Sequence, residues 1–169
     1  LQSAVSDSGR MRLRLTDLDL HAVLADVVRD SAISAENKGG RLELIARAEL
    51  AHVRGDRIHL ANVFYNLIDN AVKYCETPPV VTLTTSSDAQ GLTVSVKDNG
   101  IGIPRSEQKK IFDRLYRVPT GDRHNVKGFG LGLSYVKAVI DRHGGRIRIE
   151  SEPGSGSTFH ITIPFEHGN

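Results

Sequence analysis

Apolar residues recur at helical spacing in three stretches of the chain. Leu20, Val23, Leu24, Val27, Val28 and Ile33 follow Asp19, a residue suited to cap a helix, and the Gly39-Gly40 pair closes the element. A second helix is expected from about Asp56 to Tyr74, stopped by Pro78-Pro79. Leu131, Leu133, Val136, Val139 and Ile140 mark a third, ending at Gly144-Gly145. Between these lie strand patterns. Leu42, Leu44 and Ala46 alternate with polar residues, and Val53 before Gly55-Asp56 reads as a short partner strand. Val80 to Ser86 and Leu92 to Asp98 form a hairpin across the turn-rich Ser87-Asp88-Ala89-Gln90-Gly91. Arg146–Glu150 and Ser157–Ile163 close the chain as two further strands. A short helix follows Pro104, and the segment from Asp113 to Lys127, which has no apolar period, reads as a long mobile loop. Helices mixed with a meander of strands predict an α+β fold: a two-layer sandwich in which a mixed sheet of about five strands is covered on one face by three helices.

Composition narrows the functional classes. The 169 residues make one domain, and 39% apolar with 25% charged residues is an ordinary globular balance. An excess of 22 Lys+Arg over 20 Asp+Glu leaves a charge of +2, too small for a polyanion-binding surface, so nucleic acid is not an expected partner. The single Cys75 cannot form an internal disulfide, and no apolar run approaches the ~20 residues of a membrane span, which leads us to expect a reducing, cytoplasmic setting. Residues 1–15, with Ser3, Ser6, Ser8, Gly9 and then Arg10, Arg12 and Arg14, read as the tail of an upstream segment; residues 16–169 are the domain proper. A start at Leu1 adds to the expectation that this is a piece of a longer protein.

Three places carry candidate chemistry. On the second helix Asn66, Asn70 and Lys73 fall on one face, opposite Phe64, Leu67, Ile68 and Ala71. Asparagine has poor helix propensity, so three of them here, counting Asn62, either decorate an unusual surface helix or serve as neutral oxygen ligands at a metal–nucleotide site. Asp98-Asn-Gly100-Ile-Gly102 follows a strand, and is either a turn or a carboxylate placed to accept from an exocyclic amine such as adenine N6. Gly128-Phe-Gly130-Leu-Gly132-Leu133 opens the third helix, where backbone amides can hold an anion. It fits neither the dinucleotide fingerprint nor the phosphate loop ending in Gly-Lys-Ser/Thr. Gly154-Ser-Gly156-Ser-Thr158 reads, by itself, as the turn between the last two strands.

Taken in order, Asn66…Asn70…Lys73-Tyr74, Asp98-x-Gly-x-Gly102, Phe112…Tyr116-Arg117, Gly128-x-Gly-x-Gly132 and Gly154-x-Gly-x-Thr158 resemble the N, G1, F, G2 and G3 boxes of the sensor histidine kinase ATP-binding domain, a branch of the GHKL ATPases. The resemblance spans about Thr16 to Phe165 and implies the Bergerat ATP-binding fold, with ATP and Mg²⁺ as ligands. It implies that Asn70 ligates the metal, that Asn66 and Lys73 contact phosphate or the metal's water shell, and that Tyr74 flanks the nucleotide. Asp98 would read the adenine amine in a pocket shaped by Gly100, Gly102 and Ile103 and supported by Thr158. Phe112 would anchor a lid from Arg114 to Lys127, in which Tyr116, Arg117 and Lys127 face the nucleotide and Arg117 reaches the γ-phosphate. Gly128, Phe129, Gly130, Leu131, Gly132 and Leu133 would cradle the phosphates. Asp7–Met11 is similar to the end of the family's second dimerisation helix.

ATP-hydrolysing members of the superfamily carry a Glu four residues before the metal Asn as general base; the corresponding residue is Asn66, whose amide cannot accept a proton. The neighbouring Asp69 points about 100° away from Asn70 and is expected to be solvated. None of the seven histidines lies in the family's phosphoacceptor pattern, so all are expected to be structural or solvated. The resemblance thus implies transfer from ATP to a histidine on a dimerisation domain absent from the chain, with Asn66, Lys73 and Arg117 as catalytic residues. A response regulator is reached through the full-length kinase, and the parent is expected to be anchored in the inner membrane. A degenerate nucleotide-binding adaptor and an ATP-hydrolysing enzyme are the alternatives.

Overall fold

A computed structural model of the chain describes residues 11–113 and 130–165, without side chains at 130 and 131. The chain order is β1 (Thr16–Asp19), α1 (Leu20–Glu36), β2 (Arg41–Ala46), β3 (His52–Gly55), α2 (Arg57–Lys73), β4 (Val80–Ser87), β5 (Gly91–Lys97), two 3₁₀ turns (Arg105–Glu107 and Lys110–Phe112), α3 (Gly130–Arg142), β6 (Arg146–Ser151) and β7 (Ser157–Pro164). Five strands form a mixed sheet in the order β2-β4-β5-β7-β6, with only the β2–β4 pair parallel. All three helices lie on one face of it, as the pattern predicts. The expected lid segment lies outside the described residues.

Alternation along the strands builds the core. The pairs Leu83↔Val96, Val96↔Phe159, Val94↔Ile161 and Leu92↔Ile163 are directly opposed and buried, while Thr93, Ser95, His160 and Thr162 occupy the other face. Against this apolar floor α2 sets Leu60, Val63, Phe64, Leu67, Ile68, Ala71 and Val72, all buried. Thr85 also faces inward; its Oγ1 accepts from Ala48 N at 3.0 Å and lies 2.8 Å from His21 Nε2, so the buried hydroxyl has partners.

Three local expectations are corrected. Ile33, grouped with the buried stripe of α1, is 64% exposed, because it lies about 220° around the helix from Leu20. The short strand at Val53 pairs not with β2 but with β1, an unexpected strand, in an antiparallel register with Leu18↔Val53. The helix after Pro104 is two separate 3₁₀ turns.

The described part of the N-terminal segment is tied to the body. Met11 is buried and its carbonyl accepts from Arg142 Nη2 at 3.0 Å, while Arg14 N donates to Asp56 Oδ2 at 2.7 Å. Asp56 also caps α2, accepting from His59 N at 3.0 Å. Although burial opposes it, these two amides and the nearby His59 and His143 hold the Asp56 carboxyl below its usual range. Among the described residues no helix is long and apolar enough to cross a membrane.

Candidate functional site

Helix α2 brings the site together. Its apolar stripe packs on the sheet, which leaves Asn66, Asn70 and Lys73 on the other side, each half-buried. Asn66 Nδ2 donates to Asn62 O at 2.8 Å, a bond back to the preceding turn that fixes the carboxamide and leaves its oxygen outward. That oxygen meets the first turn of α3: a Cβ built on Gly132 would stand 3.3 Å from Asn66 Oδ1. Asn70 has no side-chain partner among the described residues, so its carboxamide oxygen is available as a neutral ligand. Lys73 is engaged with Asp69 at 2.8 Å, and the two side chains are 36% and 54% exposed.

At its C-terminal end α2 meets the loop after β5. Tyr74 N donates to Asn70 O at 3.0 Å, and Tyr74 O accepts from Ile101 N at 3.0 Å. The contact is too close for a side chain at position 100, where a Cβ would lie 2.7 Å from Tyr74 O. In the same loop Asp98 Oδ1 accepts from Gly100 N at 2.8 Å and from Ser157 N at 3.1 Å. No bond forms to its second oxygen among the described residues. Burial pushes the Asp98 carboxyl above its usual range, against the pull of the two amides.

The turn between β6 and β7 backs this loop closely. Gly156 has φ +78°, and a Cβ there would lie 2.1 Å from Asp98 O; Gly102, at φ +76°, would meet Glu152 O at 1.9 Å. Gly154 N donates to Ile101 O at 2.7 Å, Ile103 N to Ser151 Oγ at 2.8 Å, and Gln108 Nε2 to Ile103 O at 3.0 Å. Phe112 packs edge-on against Phe159, ring centres 6.5 Å apart, at the border of the described residues. The final glycine cluster is therefore both the strand turn and the rear wall of the Asp98 loop.

Most of the expected residues with described side chains gather on this framework. Asn66 faces Gly132, Asn70, Tyr74 and the Asp98–Gly102 loop are joined by the Tyr74 backbone bonds and the Gly100 N–Asp98 Oδ1 bond, and Ile103 and Leu133 pack on the core margin. Thr158 is not brought to Asp98. The alternation of β7 turns it away from the buried Ser157 and Phe159, and it is the Ser157 amide that reaches the carboxylate. Ser157 was missed, yet its signal was available: it shares parity with Phe159, Ile161 and Ile163. Gly130 and Leu131 begin α3, and Tyr116, Arg117, Lys127, Gly128 and Phe129 lie outside the described residues.

The polar contacts between α2 and α3 also answer for several histidines. His59 Nδ1 lies 2.6 Å from Tyr135 Oη, and Asn62 Nδ2 reaches the same oxygen at 3.5 Å. His143 Nε2 accepts from Asp56 N at 3.0 Å and Nδ1 donates to Val139 O at 2.8 Å, the arrangement of a neutral ring. On the open face of the sheet His160 bridges Ser95 Oγ at 2.7 Å and Glu150 Oε1 at 2.6 Å.

Residues 55–167 match the family model described as histidine kinase-, DNA gyrase B-, and HSP90-like ATPase, and the chain belongs to that family. Sensor protein RprX of Bacteroides fragilis is 40% identical over 166 residues, which cover 97% of this chain and 32% of RprX. The phosphate regulon sensor protein PhoR of Pseudomonas aeruginosa is 34% identical over 94% of the chain and 40% of its own length. The chain thus spans about a third of the length of the curated sensor proteins it matches. Among solved structures, the catalytic domain of histidine kinase ThkA superposes with a TM-score of 0.77 at 26% identity, covering 90% of this chain and 98% of that one. Full-length ShkA in complex with AMPPNP superposes with a TM-score of 0.83 at 26% identity, over 97% of this chain and 34% of that one.

Proposed function

We propose that the chain is the ATP-binding catalytic part of a sensor histidine kinase, transferring the γ-phosphoryl group of MgATP to a histidine on a dimerisation domain outside it. The observation that carries this reading is the state of Asp98. One carboxylate oxygen is held by two backbone amides and the other has no partner among the described residues, on a loop bonded directly to the end of the helix that bears Asn70. A fixed acceptor of this kind pairs with the exocyclic amine of adenine and rejects a carbonyl in the same place.

The other residues suit the same ligand. Asn70, whose side chain has no partner among the described residues, would hold Mg²⁺ through its neutral carboxamide oxygen, and the ion would supply positive charge beside the phosphate oxygens. Lys73 supplies a further positive charge, and an exposed pair such as Lys73–Asp69 costs only about 0–1 kcal/mol to break. Arg117, Lys127, Gly128 and the glycines of the first turn of α3, Gly130 and Gly132, complete the phosphate side of the site in this proposal. Asn66 orients but cannot take a proton, so water is not activated. A neutral imidazole already presents a lone pair and needs no base, so the γ-phosphoryl passes to the acceptor nitrogen as the bond to the β-phosphate oxygen breaks.

In this proposal residues 1–15 end the upstream dimerisation helix and linker, and residues 16–169 form the catalytic unit. A response regulator is served through the full-length kinase, in the cytoplasm beneath a membrane-anchored sensor, with no nucleic acid involved. The test is to mix the chain with γ-labelled ATP and a separate histidine-bearing helical dimer from its parent. An acid-labile phosphoprotein is expected. Steady phosphate release by the chain alone would point to a hydrolysing enzyme instead, and an absence of Mg²⁺-dependent nucleotide binding to a degenerate nucleotide-binding adaptor.

A further inference from the structure

Asn99 is the one residue of the Asp98-Asn-Gly loop whose side chain turns away from the candidate site, and it makes more contacts than its exposed position suggests. Its Oδ1 accepts from Val80 N at 2.8 Å and from Cys75 Sγ at 3.3 Å, and its Nδ2 donates to Pro78 O at 3.1 Å. Its own carbonyl lies 3.6 Å from the same sulfur. A single carboxamide therefore spans the whole connection between α2 and β4, residues 75–79, which begins immediately after Tyr74. That connection is gripped from the other side by Lys38, whose Nζ donates to Val72 O at 2.7 Å and to Cys75 O at 3.2 Å.

The position of Asp98 follows from two opposed anchors. On one side the β6–β7 turn presses on the Asp98–Asn99 peptide, where a Cβ at Gly156 would stand 2.1 Å from Asp98 O and 3.0 Å from Asn99 Cα. On the other side the Asn99 carboxamide draws the same peptide toward the α2–β4 connection. Apart from the Asn99 side chain, the loop is linked to the end of α2 by the Ile101–Tyr74 backbone bond, the tight packing of Gly100 against Tyr74 O and the longer contact of Cys75 Sγ with the Asn99 carbonyl.

We infer that Asn99 is a positioning residue for base recognition: by tying the Asp98 peptide to residues 75–80 it sets the separation between Asp98 and the Tyr74 end of α2, and hence the selection of 6-amino over 6-oxo purines. This rests on the reading of Asp98 as the base acceptor. Asn99 does not itself touch the nucleotide. It holds the acceptor where an amine and a carbonyl are told apart, a discrimination that decays with small displacements.

The test is the ratio of affinities for ADP and IDP, measured by calorimetric titration on the whole chain, alongside thermal unfolding. The parent sequence is expected to favour ADP by more than about tenfold. In Asn99→Ala the ratio is expected to fall to within about threefold, with ADP affinity falling and IDP affinity nearly constant. Asn99→Asp keeps the acceptor for Val80 and Cys75 but loses the donor to Pro78, and is expected to give an intermediate ratio. An unchanged ratio in Asn99→Ala, whatever its thermal midpoint, would make Asn99 a loop staple only and overturn the inference. If Asn99→Ala does not fold, an unchanged ratio in Asn99→Asp does the same. Failure of the parent chain to bind ADP, or to prefer it to IDP, is a different outcome: it removes the Asp98 reading itself and the inference with it.

Discussion

The Ser157 amide donates to Asp98 Oδ1 at 3.1 Å, so the start of β7 fixes the carboxylate that follows β5. With Gly100 N on the same oxygen, one half of Asp98 is engaged by backbone, and the other, to which nothing bonds among the described residues, is the half the proposal assigns to recognition. This division separates stability from binding in a way that mutation can read.

Asp98→Asn keeps an oxygen for both amides but replaces the free acceptor by a donor. Burial raises the folded carboxyl above its unfolded value, so the folded state holds a proton more tightly and stability falls as pH rises from the ordinary value of 3.8 through the raised one. The neutral carboxamide removes that loss, and at neutral pH the thermal midpoint is expected to hold or rise. Adenine nucleotide affinity is expected to fall by about 1–3 kcal/mol. Unchanged affinity would reject the base-reading role.

Gly156→Ala is expected to damage both properties. Its φ of +78° alone costs an L-residue about 1–2 kcal/mol, and its Cβ would collide with the Asp98 carbonyl. Unfolding should show at least that loss, and titration a fall in nucleotide affinity larger than that of Gly154→Ala. Position 154 has nothing within 4 Å, so the strain there is of backbone alone.

His143 gives the fold a pH dependence unrelated to nucleotide. Burial lowers its pKa below 6.5, the Val139 bond and Asp56 opposing, so the unfolded chain binds the proton more readily. Its stabilisation is complete above the unfolded value and is lost as pH falls through the window down to the folded one. His143→Ala is expected to lose about 1–3 kcal/mol at pH 8 by orphaning Asp56 N, and to show a shallower acid limb in denaturant titrations across that window. An identical limb would mean the ring does not titrate with folding.

Asn70→Asp adds charge at a half-buried helical position without changing shape. The expected outcome is an altered Mg²⁺ concentration dependence of ATP-analogue binding with circular dichroism unchanged. A variant that does not fold would mark Asn70 as a packing residue.

How much of this was legible without coordinates differs by element. The three helices and five sheet strands follow from periodicity, because each buries one clear apolar face, as Leu67, Ile68 and Ala71 do on α2. Strand β1 left almost no signal: of Thr16–Asp19 only Leu18 is buried, and its pairing with β3 depends on residues more than thirty positions away. The glycine boxes gave the site's order but not its exact contacts. Ser157 and Thr158 differ by one position and lie on opposite faces of a strand, a distinction that parity with Phe159 would have made. Asn62 looked costly because a sequence does not show Tyr135 across the helix pair, and the pairing of Lys73 with the exposed Asp69 was not anticipated.

The central claim is that Asp98 and Asn70 serve one adenine nucleotide with its divalent ion. Calorimetric titration of the chain with a non-hydrolysable ATP analogue, with and without Mg²⁺, tests it most directly. Saturable binding, strengthened by Mg²⁺ and weakened in Asp98→Asn, is the predicted result; no binding, or binding indifferent to both the ion and the substitution, would contradict it.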